Sequence, residues 1–383
     1  MNKKNTIILF IYTFLNYFLL YRACDVLYYV SKGISNDEYI IFLTIGSLIT
    51  IVFLIPFGII KDNYNRKYIL IVSNLFLLLA TLTYIYSNNA LFMGIGIIMS
   101  AISNLLSQGI AISLLHSYIK NKKEYSKMFY KWQVYLYSGY LISMVLGGVA
   151  ASYSLVSMYY ISLIPILLNF IVLFLLDDSR EKTKKKNKTK YLLKESLNLI
   201  KNNQLLKIIL ISEMIITPIS NILFESHPEY LSGMGASTTL IGIYTAIMCL
   251  FGIVGNKIAS IQNNQTKAFF IYAILLNISL VLIGAITNYS AIIFIIMLQC
   301  FFSVTGNIYN TSIQNECDDS YRQTILAIFT FLISISEMII ASTTSIILKN
   351  INLGQSYIAL GTFGLIGTLI VFIYYLKRVC YNK

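Results

Sequence analysis

Charge is scarce in this chain: only 12% of its residues are Asp, Glu, Lys or Arg. That shortage excludes a soluble globular fold. A soluble surface needs far more polar side chains than remain when 57% of the residues are hydrophobic and the mean hydropathy is +0.71. Catalytic signatures are missing as well. There is no Walker-type phosphate loop, no His-Glu-x-x-His pair and no nucleophile elbow. An ATP-driven pump would need a soluble nucleotide domain, for which the chain has no room, and no reactive constellation points to an enzyme. The five cysteines, Cys24, Cys249, Cys300, Cys317 and Cys380, lack the paired spacing of a metal or redox site and read as small hydrophobes. No metal or cofactor is expected. The first apolar run carries Arg22 and Asp25 and lacks a small-residue cleavage site, so it reads as a retained helix, not a signal peptide.

What the chain does have is a series of continuous apolar runs of about 20 residues, the length that spans a bilayer as an α-helix. They do not alternate, which sets a β-barrel aside. The expected fold is an all-α polytopic membrane protein with twelve transmembrane helices in two pseudo-symmetric six-helix bundles. The spans fall at about 6–30, 38–60, 67–86, 90–118, 128–152 and 155–176. After a polar break come 205–231, 238–258, 267–287, 291–315, 321–348 and 354–376. The expected organisation is therefore an N-terminal bundle over 1–176, a linker over 177–203 and a C-terminal bundle over 204–383. A faint internal repeat supports two halves. Phe57-Gly58-Ile59 matches Phe251-Gly252-Ile253, and Leu141-Ile142-Ser143 matches Leu332-Ile333-Ser334 at a nearly common offset.

The excess of 29 Lys+Arg over 16 Asp+Glu is not spread evenly. Only Arg22, Lys32 and Lys349 fall outside the segments that an even number of spans places on one side. This asymmetry puts both termini in the cytoplasm of a multi-pass plasma-membrane protein. It also argues against a nucleic-acid partner. The linker holds Arg180, Lys182, Lys184, Lys185, Lys186, Lys188 and Lys190. Within it Tyr191, Leu192, Leu193, Leu197 and Ile200 recur at helical spacing, which suggests an amphipathic helix on the inner membrane surface facing anionic lipid.

The polar stretch from Gly58 to Lys67 sits between two apolar runs, where it reads as a short cytoplasmic turn. Gly58 lets two helices approach closely. Asp62 is placed to cap the following helix. Asn65 tolerates positive φ, and Arg66 and Lys67 hold the turn inside. The stretch resembles the loop between helices 2 and 3 of the major facilitator superfamily, Gly-x-x-x-Asp-x-x-Gly-Arg-(Arg/Lys), with Asn65 in place of the second glycine. The resemblance implies a secondary transporter in which Gly58, Asp62, Asn65, Arg66 and Lys67 latch the inner gate. It also implies that helices 1, 4, 7 and 10 line the cavity. Gln108-Gly109 keeps part of a helix 4 motif of proton-coupled members, with Leu105 where an arginine belongs. Gly139 and Gly147-Gly148 keep part of a glycine-rich helix 5 motif of drug antiporters, without its proline. Tyr321 to Thr324 is similar to the family's opening of helix 11, against which the equivalent of Asp62 locks.

Charges inside lipid each need a reason, since they cost at least ~2.5–3.5 kcal/mol on insertion scales. Arg22 and Asp25, three apart, share a helical face and can pair or form a substrate or proton site. Glu213 and Glu337 have no basic neighbour one turn away and are the leading proton-coupling candidates. Either could instead be held by a Ser or Asn of another helix. Glu225, His227 and Glu229 read as a wet external gate, with Pro228 disrupting the helix, and His116 as interfacial. Asn16, Gln108, Asn221 and Asn307 are cavity-lining candidates. Asn104, Gln133, Asn277, Gln299 and Asn310 line the cavity or bond helix to helix. The expected activity is alternating-access transport of a small solute by a monomer, most simply proton-coupled efflux. A nutrient uptake carrier and a non-transporting membrane sensor or scaffold remain as alternatives.

Overall fold

The computed structural model describes residues 3–87, 89–119, 122–177, 189–262, 264–316 and 319–381; the side chains of 59, 62–63, 122–127, 130, 189–193, 314–315, 319–323 and 378–381 are outside that description. All regular structure among the described residues is helical. The first segment comprises α1 (Lys3–Tyr17), a 3-10 turn (Leu20–Ala23) and α2 (Asp25–Ser31). There follow α3 (Asn36–Asn63), α4 (Arg66–Tyr86), α5 (Ala90–Ser107), α6 (Ile110–Tyr118), α7 (Lys122–Tyr153) and α8 (Ser157–Phe174). The remainder is α9 (Thr189–Asn202), α10 (Gln204–Gly233), α11 (Thr238–Ser260), α12 (Gln265–Ala285), α13 (Ala291–Glu316), α14 (Asp319–Leu348) and α15 (Leu353–Tyr381).

Among the described residues eleven helical segments are long and apolar enough to cross a membrane, with α5 and α6 counted as one. The broken first segment brings the spans to the expected twelve. Helices are the form these runs must take, because in lipid every backbone group has to find its partner within the chain. Asparagines start four of them: Asn65, Asn89, Asn203 and Asn264 each accept a hydrogen bond from a first-turn backbone N–H. The apolar side chains left uncovered, such as Ile164, Leu167, Ile171 and Phe174 along one face of α8, form the surface that a bilayer would cover.

The chain divides into two compact units, each discontinuous in sequence. One holds 1–35, 48–183 and 235–246; the other holds 36–47, 184–234 and 247–383. Thus α3 and α11 each contribute one portion to either unit. The core of the first unit joins Leu9 and Phe10 of α1, Leu70 of α4, Leu114 of α6, Trp132 of α7 and Leu173 of α8. Trp132 donates its indole N–H to Thr13 Oγ1 at 2.7 Å. In the second unit α15 lies against α12 along a glycine seam. A Cβ at Gly284 would strike the backbone of Gly354, and one at Gly361 would come within 2.9 Å of the Val281 nitrogen. At Gly364 it would overlap the Asn277 side chain.

Three expectations are corrected here. The first span is not one helix: it breaks between Tyr17 and Asp25. The fourth is not continuous either, because Gly109 takes φ +78 and separates α5 from α6. And α10 runs unbroken through Pro218 and Pro228, so Pro228 does not disrupt it. The linker helix α9 packs at its C-terminal end. Leu199 and Ile200 dock with Leu206 and Leu210 of α10, Ile313 of α13 and Ile325 and Phe329 of α14, while Leu197 stays exposed. Residues 178–188 of the basic run lie outside the described residues.

Candidate functional site

The break in the first span is shaped by α7 and α8. Gly139, Ser143 and Gly147 of α7 recur every fourth residue and so share a face. A Cβ at Gly139 would come within 2.6 Å of the Phe14 carbonyl oxygen, and one at Gly147 would collide with the Leu20 carbonyl. The glycines therefore let α7 lie directly against the backbone of the break. Serines supply hydrogen bonds in place of helical ones there. Ser162 of α8 accepts from the Leu20 N–H at 2.9 Å, and Ser143 donates to the Tyr17 carbonyl at 3.4 Å. Beyond the break, the Tyr159 ring stacks on Tyr21 and sits tilted against Tyr28, with centroids 5.0 and 4.7 Å away. Tyr28 donates its hydroxyl to the Tyr84 carbonyl at 2.7 Å.

Arg22 lies on this turn, half-buried. Its Nη1 donates to the Tyr140 hydroxyl at 2.8 Å, and its guanidinium carbon lies 5.3 Å from the Tyr140 ring centre and 5.7 Å from that of Tyr17. The Tyr21 hydroxyl engages it too. Asp25 starts α2, where its carboxylate accepts from the Val26 N–H at 2.8 Å. Because the helix is interrupted between them, Arg22 and Asp25 do not share a helical face. Arg22 is held by tyrosines instead.

The turn after α3 behaves as a clamp within the first unit. Lys61 reaches the Gln108 carbonyl at 3.1 Å, at the break in the fourth span. Arg66, nearly buried, donates through Nη1 to the Ser113 carbonyl at 2.9 Å and to its hydroxyl at 3.0 Å. Lys67 reaches the Phe174 carbonyl at 2.7 Å. Two expected roles change. Asn65 has φ −66, so it needs no tolerance of positive φ; it is the cap of α4, accepting from the Lys67 N–H at 2.9 Å. Gly58 permits no close approach, since a Cβ there would meet none of the described atoms within 4 Å. Asp62 belongs to the last turn of α3, but its side chain lies outside the described ones, as do those of Tyr321 to Gln323.

In the second unit Glu337 of α14 accepts from Asn221 of α10 at 2.7 Å and from Ser47 of α3 at 2.9 Å, one donor on each carboxylate oxygen. Glu225 accepts from the Tyr39 hydroxyl at 3.0 Å. Glu213 differs. It is 3% exposed; Oε2 accepts from Thr217 at 2.7 Å, and Oε1 has no partner among the described residues. Asn307 donates to Asn256 at 3.4 Å, and Asn16 is half-buried just before the break in the first span. Asn277 is buried in the glycine seam and donates to the Ala273 carbonyl at 2.8 Å, which makes it a packing residue. His227 is buried, with Nδ1 against the Phe224 carbonyl at 2.8 Å. Sequence reasoning missed Tyr140, Ser47 and Lys61. The signal for Tyr140 was its place beside Gly139 on the glycine face of α7.

A sequence profile of the Major Facilitator Superfamily matches residues 6–341. No curated protein matches the chain. Solved structures are similar at low identity. A point mutant of the nucleoside transporter NupG superposes with a TM-score of 0.80 at 11% identity, covering 96% of this chain and 99% of the other. A D-xylose-proton symporter gives 0.74 at 14% identity, with 96% of each chain covered. A POT family transporter in complex with a thioalcohol conjugated peptide gives 0.77 at 13% identity, covering 97% and 96%. These likenesses establish the fold, and the profile spans most of the sequence: the chain belongs to the Major Facilitator Superfamily.

Proposed function

We propose that the protein is a proton-coupled secondary transporter that moves a small solute by alternating access, with efflux as the preferred direction. Family membership supports the reading of an integral membrane transporter. The observation that carries proton coupling is Glu213: a buried carboxyl on a spanning helix, with one oxygen bonded to Thr217 and the other unmatched. Burying an unpaired carboxylate costs several kcal/mol. Exchange of a proton with the medium is the means by which such a group changes state without a cationic partner. Glu337, with a donor on each oxygen, is better suited to a structural or gating role.

Efflux is favoured by the resemblance of the helix 5 glycines to those of drug antiporters. Uptake is the second reading, because one of the similar solved structures is that of a D-xylose-proton symporter. The protein would act in the plasma membrane as a monomer with both termini inside, its linker lysines toward anionic lipid. The test is proteoliposome flux under an imposed proton gradient, with a panel of small solutes. Gradient-driven flux is expected, and Glu213→Gln should retain exchange while losing the response to the gradient. Equal gradient response in Glu213→Gln removes it as the coupling site. Solute movement along the proton gradient rather than against it favours uptake.

A further inference from the structure

We propose that Arg22 is the anion-binding residue of the transport site, and that the cargo carries a carboxylate. This rests on the transporter reading and names its substrate class. Among the described residues the partners of Arg22 are the Tyr140 hydroxyl, the Tyr21 hydroxyl and the rings of Tyr17 and Tyr140. None of them is an acid, and the ion pair found among described side chains joins Lys4 to Asp177 instead. An ionised group at membrane depth ordinarily has a counter-charge, because leaving it alone is costly. Here the protein supplies neutral aromatic faces, which stabilise a cation only modestly. The positive charge is left over for something that comes and goes.

The geometry suits such a visitor. Arg22 is half-buried, so part of the residue remains uncovered. It has five N–H donors in a planar fork. Nη1 is committed to Tyr140 and the Tyr21 hydroxyl engages the same group, so a carboxylate would take the N–H donors that these two leave. The residue is not on a mobile loop. The turn that carries it is fixed by Ser143 and Ser162, pressed by Gly139 and Gly147, and followed by the Tyr159 stack. A binding group held this rigidly loses little entropy when its ligand arrives. Irregular backbone in a spanning segment is tolerated where it is buried in protein or lines a cavity; here α7 and α8 cover the backbone, and the Arg22 side chain carries the proposed site. A single positive charge neutralises one negative charge. A carboxylate therefore fits better than a phosphate dianion, which would remain net negative at the site.

The only tryptophan, Trp132, is an internal reporter. It lies two turns before Tyr140 on α7 and is bonded to Thr13 of α1, so it bridges the two helices that frame Arg22. The full-length protein in detergent micelles is titrated with benzoate, with neutral benzamide of nearly the same shape, and with phenyl phosphate. Trp132 fluorescence is followed, with equilibrium dialysis as a second readout. Benzoate should bind saturably and about tenfold or more tighter than benzamide, and Arg22→Gln should abolish that preference. Arg22→Lys should keep part of it, since the charge remains and the fork does not. Tyr140→Phe should weaken benzoate a few-fold by releasing Nη1. Equal binding of benzoate and benzamide, a preference that survives Arg22→Gln, or no saturable benzoate binding would each overturn the proposal. Tighter binding of phenyl phosphate than of benzoate would overturn the carboxylate assignment. Should Arg22→Gln fail to fold, the benzoate–benzamide comparison in the native protein and in Arg22→Lys decides. Selective benzoate binding without flux in proteoliposomes would sink the transporter reading and leave the anion site standing.

Discussion

The ammonium of Lys61 caps the carbonyl oxygen of Gln108 at 3.1 Å, where the left-handed Gly109 interrupts the fourth span. A residue in the last turn of α3 thereby holds a backbone carbonyl at the junction of α5 and α6. The two partners should respond differently to substitution. Lys61→Met removes an exposed, charge-assisted contact and should cost about 1 kcal/mol or less. Gly109→Ala forces a Cβ into the left-handed region and should cost about 1–2 kcal/mol. Thermal unfolding in detergent should rank Gly109→Ala below Lys61→Met. The reverse order would mean that the glycine conformation is not required.

The glycines of the two motifs should also separate. A Cβ on Gly147 collides with backbone at Leu20, whereas one on Gly58 meets none of the described atoms. Gly147→Ala must push α7 off the broken span and should lower the melting temperature by several degrees, in line with overpacking costs of about 1–3 kcal/mol. Gly58→Ala should be neutral, or stabilising by up to about 1 kcal/mol through helix propensity. Melting curves of the two variants side by side check this; a Gly58→Ala penalty as large as that of Gly147→Ala would contradict it.

Asn221 and Glu337 should be energetically coupled. The amide donates to one carboxylate oxygen at 2.7 Å while Ser47 serves the other. A double-mutant cycle with Asn221→Leu and Glu337→Gln should show an interaction of about 0.5–3 kcal/mol. Strict additivity would mean that the two side chains do not meet.

The spans were readable because each is a continuous apolar run and lipid leaves such a run one form. The breaks were not. Nothing between Tyr17 and Asp25 resembles a helix stop: there is no proline and no glycine. What interrupts the helix comes from elsewhere in the chain, from Ser143, Gly147 and Ser162, and local patterning carries no trace of it. The same interruption undid the helical face that Arg22 and Asp25 were expected to share, since an i, i+3 argument presumes an intact helix. Glu337 was partly legible. That a Ser or Asn on another helix would hold it follows from the cost of an unpaired charge, but Ser47 and Asn221 could be picked out only once the chain had folded. Asn65 replaces a motif glycine, and its role as a cap depends on where α4 begins.

The seam between α12 and α15 has a practical consequence. Gly284, Gly361 and Gly364 bring the two helices so near that no atom can be added between them. Sliding or parting would expose gaps too small for lipid or water to fill, so the pair should travel as a single rod through every stage of a transport cycle. Spin labels placed on its two lipid-side faces would keep one fixed separation, a built-in ruler against which every other helix displacement can be calibrated.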